Sequence, residues 1–298
     1  MSESEKPGGC PMGYGDPSKS VSEPNVYGKS DLTYNDYLKI PELLSLQVPQ
    51  SSPAHHDELL FIVIHQAYEL WFKLILHELD NSIEYMQKKQ VLRAHHFIKR
   101  VVEIMHLLVK QIHILETMTP VEFLEFRDRL MPASGFQSLQ FREIEFMAGL
   151  KDEVYLHHFQ HRPEMLEALK MRLAKPDLRT TYYEMLRAIG YAIPANASEL
   201  ERKDAEDTRA LTLKGLLPIY QNPNDHLSVY MLSEALIEFD EYLALWREHH
   251  VRVVERIIGL KRGTGGSSGV EYLRNTTSKK VFPYLWEVRT HLVAPGKG

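Results

Sequence analysis

The chain has 298 residues, of which 44% are hydrophobic and 25% charged, and its formal net charge is −5. This length supports a large buried core, while the slight acidic excess argues against general nucleic-acid binding, which needs many lysines and arginines to neutralise phosphates. The single cysteine, Cys10, excludes an internal disulfide and any multi-cysteine zinc or iron–sulfur site.

The N-terminal segment, residues 1–30, is rich in glycine, proline and serine and shows no periodicity. We therefore expect a flexible tail rather than a signal peptide, which would need an apolar core. Two short helical segments are predicted directly after it, one over residues 32–40 and a second that begins at Pro41.

A long helix is predicted next, with Ser52 as its cap, Pro53 in its first turn and an end near Lys88. Residues 59–76 are apolar on nearly all sides, which places this helix at the centre of a bundle. The longest uninterrupted apolar run, residues 59–64, is far shorter than the ~20 residues that span a bilayer. We therefore expect a cytoplasmic protein without a membrane partner.

Helical periodicity continues along the rest of the chain, and no convincing strand interrupts it. The predicted helices cover about 91–115, 119–131 and 138–150, several shorter helices between 153 and 189, a second long helix over about 225–261, and a C-terminal stretch after Pro283. Residues 196–226 are more polar and are expected to form a small peripheral excursion. The predicted fold is all-α, with one helical domain over residues 31–298 around two long central helices.

A histidine lies on the apolar stripe of the second long helix. His250 follows Trp246 by four residues and precedes Ile257 by seven, so it shares their face, whereas His249 lies one step round the helix. An inward imidazole is either a core histidine that is bonded to a neighbour or a neutral nitrogen ligand to haem iron. The spacing alone leaves both interpretations open.

A second histidine lies among aromatic residues on the first long helix. Phe61, His65, Tyr68 and Phe72 follow the spacing of one helix face. Such a histidine is either packed in the core or is the polar group of an aromatic-lined small-molecule pocket.

An arginine lies beside an apolar helix face that includes Phe123 and Leu130. Arg127 therefore forms either a structural salt bridge or a clamp that binds a ligand carboxylate through paired donors. The glycine-rich segment 261–269 is similarly ambiguous, because it suits a helix cap with a linker or a loop that closes over a ligand. In the second case the Thr264 hydroxyl is available to a polar end of the ligand.

Five motifs, in order and spacing, resemble those of bacterial tryptophan 2,3-dioxygenases, and the resemblance extends from about residue 31 to 292. They are LTYNDYL at 32–38, PAHHDE at 53–58, FRD at 126–128, SGFQSLQ at 134–140 and KRGTGGSSG at 261–269. The resemblance implies a homotetramer of helical subunits with one haem b each. It also implies L-tryptophan and O₂ as substrates and N-formylkynurenine as product, in the first step of tryptophan degradation by the kynurenine pathway.

The resemblance also assigns roles to individual residues. His250 matches the proximal iron ligand, His65 the distal histidine that hydrogen-bonds the indole N–H, and Arg127 the carboxylate clamp. Further matches are Phe61, Phe123, Leu130 and Thr264 in the substrate pocket, Tyr34, Tyr37 and Leu38 in a segment that reaches a neighbouring subunit's pocket, and Ser134 and Gly135 beside the haem.

One residue departs from the family pattern. Phe123 stands where some bacterial members have a tyrosine whose hydroxyl helps to hold the substrate carboxylate. Because phenylalanine donates no hydrogen bond, Arg127 and Thr264 are expected to carry that carboxylate. Two alternative functions share most of these features, namely a haem-based gas sensor or carrier without turnover and a dioxygenase for another indole derivative.

Overall fold

The computed structural model describes residues 31–198, 205–265 and 269–293, and within these ranges every regular element is a helix. The predicted all-α fold is confirmed. The α-helices are α1 (Tyr34–Leu38), α2 (Ile40–Leu43), α3 (His56–Gln87), α4 (Val91–Leu115), α5 (Pro120–Arg127), α6 (Leu139–Ala148), α7 (Pro163–Ala174), α8 (Leu178–Ala188), α9 (Ala205–Gln221), α10 (Leu227–Ile258), α11 (Val270–Arg274) and α12 (Pro283–Glu287). Four 3₁₀ turns accompany them, Asp128–Leu130, Gly135–Gln137, Glu153–Phe159 and Val288–His291.

The chain divides into two compact units, one that ends at Leu46 and one that begins at Gln47. In the described part of the first unit, α1 begins with a reciprocal capping box between Thr33 and Asp36. The predicted tail, residues 1–30, lies outside the described residues, and a single domain over 31–298 stays a prediction.

The core of the second unit is built on α4, which packs against both 32-residue helices, α3 and α10. Its bounds agree with the sequence prediction, and its buried residues recur every three or four positions. They include Ile98, Val101, Met105 and Leu108, all at most 2% exposed. Both α3 and α10 pack an apolar stripe against the same core. Their packing against α4 therefore determines the direction in which their other faces point.

The start of α3 differs from the sequence prediction, since the helix begins at His56 and not after Ser52. His55 caps it by accepting a hydrogen bond from the backbone N–H of Asp57 at 3.3 Å. The cause is Glu58, whose carboxylate accepts the backbone N–H groups of Gln50 and Ser51 at 2.6 and 3.0 Å. These bonds hold residues 50–51 across the first turn as a loop.

The expectation of a peripheral excursion over residues 196–226 was wrong. Its larger part forms α9, which buries Leu213, Leu216 and Ile219 in the main core. The expectation rested on the polar composition of the segment, yet the helix persists even through Pro218.

By length and composition, α3 could also cross a membrane. An 18-residue window of α3 has a mean hydropathy of 1.5 although charged residues interrupt its apolar runs. Core helices of soluble proteins pass the same test, and Ile75 and Leu79 of α3 are fully buried in the core.

Candidate functional site

A large cavity lies in the second unit, among residues of α3, α4, α5, α6 and α10 and the loops beside them. It encloses about 1580 Å³ of space between protein atoms, including its opening to solvent. Most of its wall is apolar, as expected of a small-molecule site. Eight of the twelve site residues that the resemblance assigns line it: Phe61, His65, Phe123, Arg127, Ser134, Gly135, His250 and Thr264.

The imidazole of His65 is held in one orientation and one tautomer. Its Nδ1 lies 2.7 Å from the carbonyl oxygen of Phe61, which can only accept, so Nδ1 carries the hydrogen. The Phe61 ring packs against the imidazole with 4.1 Å between centroids. Burial lowers the pKa of His65, which keeps the ring neutral at neutral pH. Nε2 is therefore a hydrogen-bond acceptor.

The second cavity histidine, His250, comes from α10. Burial, aided by the charges of His65 and Arg142, lowers its pKa to about 4, so the imidazole is neutral and has a free lone pair. Trp246, one turn earlier, stacks on it with ring centroids 5.2 Å apart. Its neighbour His249 instead packs edge-on against His113 of α4. Of the two adjacent histidines, only His250 is part of the cavity wall.

The positive charge of the Arg127 guanidinium is only weakly neutralised by nearby carboxylates. Its nearest carboxylate is that of Asp128 at 3.8 Å, an 85% exposed side chain. Nη2 donates to the carbonyl of Arg262 at 2.6 Å, and the buried Nε has no hydrogen-bond partner among the described residues. A structural salt bridge therefore does not account for Arg127. Its unused donors suit a bidentate carboxylate.

Two loops that line the cavity contact each other. The Thr264 hydroxyl donates to the carbonyl of Ala133 at 2.5 Å. Gly265 lies so close to Ser134 that an added Cβ would be 2.7 Å from the serine Cβ, so only glycine fits there. Gly269 adopts a positive φ of 66° and approaches the carbonyl of Lys261. Part of the glycine segment thus serves close loop packing, while residues 266–268 lie outside the described ranges.

Four predicted site residues lie elsewhere. Leu130 is half-buried and packs on the apolar cluster around Phe123 without lining the cavity. In the first unit, Tyr34, Tyr37 and Leu38 on α1 are 74%, 72% and 41% exposed. Large apolar side chains with this exposure are available to another protein surface.

The structure adds charged residues to the cavity wall that the sequence reasoning missed. Arg142 and Glu145 come from α6, Arg247 from α10 and Glu69 from α3. Arg247 precedes His250 by three residues, so both lie on one helix face. This spacing is the feature of the sequence that could have identified Arg247 as a cavity residue.

The wall suits a prosthetic group that brings its own metal ligands. Within the described parts of the chain, no cluster of three or more His, Cys, Asp or Glu could hold a bare metal ion. A porphyrin needs only one imidazole from the protein, and His250 offers a neutral one in a wall with Phe72, Phe141 and Val253. The residues present therefore fit a haem.

Comparisons with known proteins identify the family of the chain. A family model described as "Tryptophan 2,3-dioxygenase" matches residues 19–194 and 180–292. Proteins named "Tryptophan 2,3-dioxygenase" from Herpetosiphon aurantiacus and a Nocardioides species are 47% and 46% identical to the chain. Each alignment covers 88% of this chain, and it covers 98% and 96% of those relatives, respectively. A protein of the same name from Myxococcus xanthus is 41% identical over 88% of this chain and 90% of its own.

Proposed function

Because the chain belongs to the tryptophan 2,3-dioxygenase family, we propose that its cavity binds haem b through His250 and L-tryptophan through His65 and Arg127. The reaction is the oxidative cleavage of the indole C2–C3 bond of L-tryptophan by O₂, which gives N-formylkynurenine. One observation carries the proposal. A single cavity combines a neutral imidazole, a second imidazole with a fixed acceptor nitrogen and an undercompensated guanidinium.

The two polar groups of L-tryptophan have complementary partners in the cavity. Arg127 presents paired donors to the carboxylate, and Nε2 of His65 accepts a hydrogen bond from the indole N–H. The rings of Phe61 and Phe123 supply apolar contact for the indole. Two anchors at opposite ends of one small molecule fix its orientation, which converts an encounter into a near-unimolecular reaction.

Haem, when bound, supplies the iron at which O₂ is activated. The protein residues bind and orient L-tryptophan, and they exclude water from the cavity. His65 acts here as a hydrogen-bond acceptor and not as an obligatory base, since an indole N–H is far too weak an acid for a neutral imidazole to deprotonate readily. The apolar wall shields the reacting groups from solvent.

The state of assembly and location are part of the proposal. The exposed apolar side chains of α1 support a homotetramer in which Tyr34, Tyr37 and Leu38 reach a neighbouring subunit. We further propose a cytoplasmic location and a role in the first step of tryptophan degradation by the kynurenine pathway.

The decisive experiment is turnover by purified protein loaded with hemin and reduced without O₂. On addition of air and L-tryptophan we expect the absorbance of N-formylkynurenine to rise while the haem spectrum cycles. A gas sensor or carrier would change its haem spectrum and form no product. Faster consumption of another indole from a panel would assign a different substrate.

Replacing His65 with alanine is expected to lower kcat/KM about tenfold, the scale of one lost hydrogen bond, and to leave measurable turnover. Steady-state kinetics of hemin-loaded protein checks this value. His77→Ala, at an exposed histidine of the same helix, is the matched control and should change nothing. Complete loss of turnover with haem and tryptophan still bound would instead give His65 an essential chemical role.

Replacing Phe123 with tyrosine should restore a donor to the carboxylate end of the cavity. Phe123 lines the cavity together with Arg127, so a hydroxyl there is expected to lower the KM for L-tryptophan about 3- to 10-fold. The control is Phe126→Tyr, because Phe126 is fully buried in the same cluster. That variant should lose thermal stability without any gain in affinity. An unchanged KM in Phe123→Tyr would show that the hydroxyl does not reach the substrate.

A further inference from the structure

The carboxylate of Glu69 joins the first long helix to a loop of the cavity wall. Glu69 follows His65 by four residues, so both lie on one face of α3, and both line the cavity. Its Oε1 accepts a hydrogen bond from the Ser138 hydroxyl at 2.7 Å, and its Oε2 accepts one from Nε2 of Gln140 at 2.8 Å. Gln140 also donates to the backbone carbonyl of Glu69 at 2.8 Å. The function proposed above gives Glu69 no role.

Neutral donors alone hold the Glu69 carboxylate. Within the ranges that the structure describes, this half-buried side chain forms no ion pair with a lysine, arginine or histidine. A charged group that leaves water needs compensation, and hydrogen bonds to charged groups are roughly twice as strong as those between neutral groups. The carboxylate therefore holds Ser138 and Gln140 more firmly than an amide at the same position would.

The loop that Glu69 holds forms one side of the cavity. We call residues 133–138 the wall segment, and four of its six residues line the cavity. Most of its hydrogen bonds join residues at most four positions apart. Among the described residues, two of its hydrogen bonds reach distant parts of the chain. Ser138 donates to Glu69, and the carbonyl of Ala133 accepts from Thr264.

These two bonds place the wall segment between α3 and the glycine-rich segment 261–269. Thr264 and Gly265 of the glycine-rich segment contact residues 133 and 134, so their position depends on the wall segment. We propose that Glu69 is a positioning residue, which fixes the wall segment, and through it Thr264, at the distance from α3 that L-tryptophan requires. This inference rests on the proposed function.

Glu69 acts on substrate binding in this account, and not on the chemical step. Without its bond to α3, the wall segment no longer holds Thr264 in place, and the cavity fits its ligand less closely. The His65 imidazole keeps its orientation, because its own bond to the carbonyl of Phe61 fixes it. The expected signature is a higher KM for L-tryptophan with little change in kcat.

The test is steady-state kinetics of hemin-loaded Glu69→Gln with L-tryptophan. An amide has only one acceptor oxygen, so it cannot accept from both Ser138 and Gln140. We expect KM to rise about tenfold while kcat changes less than about twofold, the scale of lost hydrogen bonds to a charged group that does not touch the reacting atoms. The inhibition constant of tryptamine, which lacks a carboxylate, should rise by the same factor, because both ligands fit the same wall.

Hydrogen exchange gives a second measurement that does not depend on turnover. Followed by mass spectrometry, exchange of the backbone amides in the wall segment should be faster in Glu69→Gln than in wild type. Exchange in the middle of α4, whose residues lie in the main core, should stay the same.

Changes at Ser138 separate the hydrogen bond from the charge of Glu69. Ser138 caps α6 by accepting the backbone N–H of Phe141 at 3.2 Å, and an aspartate keeps this cap but cannot donate to Glu69. Ser138→Asp should therefore raise KM at least as much as Glu69→Gln, whereas Ser138→Thr keeps donor and cap and should retain most of the affinity. The double variant Glu69→Gln/Ser138→Asp exchanges donor and acceptor, so its KM should return toward the wild-type value.

Glu78→Gln is the matched control. Glu78 is a buried carboxylate of the same helix, and it pairs with Arg100 at 2.9 Å away from the cavity. The control should lose thermal stability without a change in KM. Should Glu69→Gln fail to fold, Gln140→Met replaces it by removing the other donor to the same carboxylate, with an expected rise in KM of at least about threefold.

The outcomes separate the two proposals. Wild-type protein without turnover of L-tryptophan would overturn the proposed function. Turnover in wild type with an unchanged KM in Glu69→Gln would overturn the positioning role alone. A rise in KM in Glu69→Gln but not in Ser138→Asp would mean that Glu69 acts through its charge, and a fall in kcat at unchanged KM would place it in the chemical step. Either result would show the inference to be wrong.

Discussion

Replacing His250 with alanine is expected to leave a folded helical protein that no longer retains haem. The imidazole is neutral because burial lowers its pKa to about 4, so it can bind iron without losing a proton, and Trp246 stacks on its ring. Loss of a residue that only supports a metal ligand costs about 10- to 100-fold in affinity, so loss of the ligand should exceed about 100-fold. Haem content after gel filtration and titration of the apoprotein with hemin, followed by the Soret band, both measure this loss.

A smaller substitution makes the test sharper. His250→Gly leaves a hole beside Trp246 that free imidazole can enter, and added imidazole should then restore a histidine-type ferrous spectrum. His249→Ala is the matched control, because its ring packs on His113 away from the cavity. Normal haem retention in His250→Ala, or its loss only in His249→Ala, would show that the ligand was wrongly assigned.

The sequence was sufficient for the helices whose ends depend on local chemistry. The capping box of Thr119 and Glu122 and the Ser138 cap lie where α5 and α6 begin. Local rules failed where a side chain of the helix itself bonded to the preceding loop, as when Glu58 of α3 accepted the backbone N–H groups of residues 50–51. The apolar stripes likewise predicted α3 and α10. Like the caps, they depend on residues that are only a few positions apart in the sequence.

The candidate site was predictable to the extent that its residues share a helix face. The stripe of α10 separated His250 from His249, and the aromatic face of α3 singled out His65. The ion pairs of Glu145 with Arg142 and Arg247 were not predictable as a unit, because the pair with Arg247 joins residues 102 positions apart. The spacing of Arg247 and His250 indicated only that the two share a helix face. The resemblance added a proposed role for α1, contact with a neighbouring subunit, which no helix spacing predicts.

Replacing Arg127 with methionine is expected to raise the KM for L-tryptophan about 10- to 100-fold and to leave the haem spectrum unchanged. A hydrogen bond to a charged group contributes about 1.5–3 kcal/mol, and a tenfold change corresponds to about 1.4 kcal/mol. Arg127→Lys keeps the charge but not the planar pair of donors, so it should recover only part of the affinity. Arg129→Met, at an exposed arginine two residues away, is the control.

Comparison with tryptamine separates recognition of the carboxylate from a change in the loop. Arg127 also donates to the carbonyl of Arg262, so its removal could displace the loop that precedes Thr264. Loop displacement would weaken L-tryptophan and tryptamine equally, because both carry the same indole. A lost carboxylate clamp weakens only L-tryptophan, so the two ligands should bind Arg127→Met with similar affinity. A preference for L-tryptophan that survives in this variant would assign the carboxylate to another group, with Thr264 the next to test.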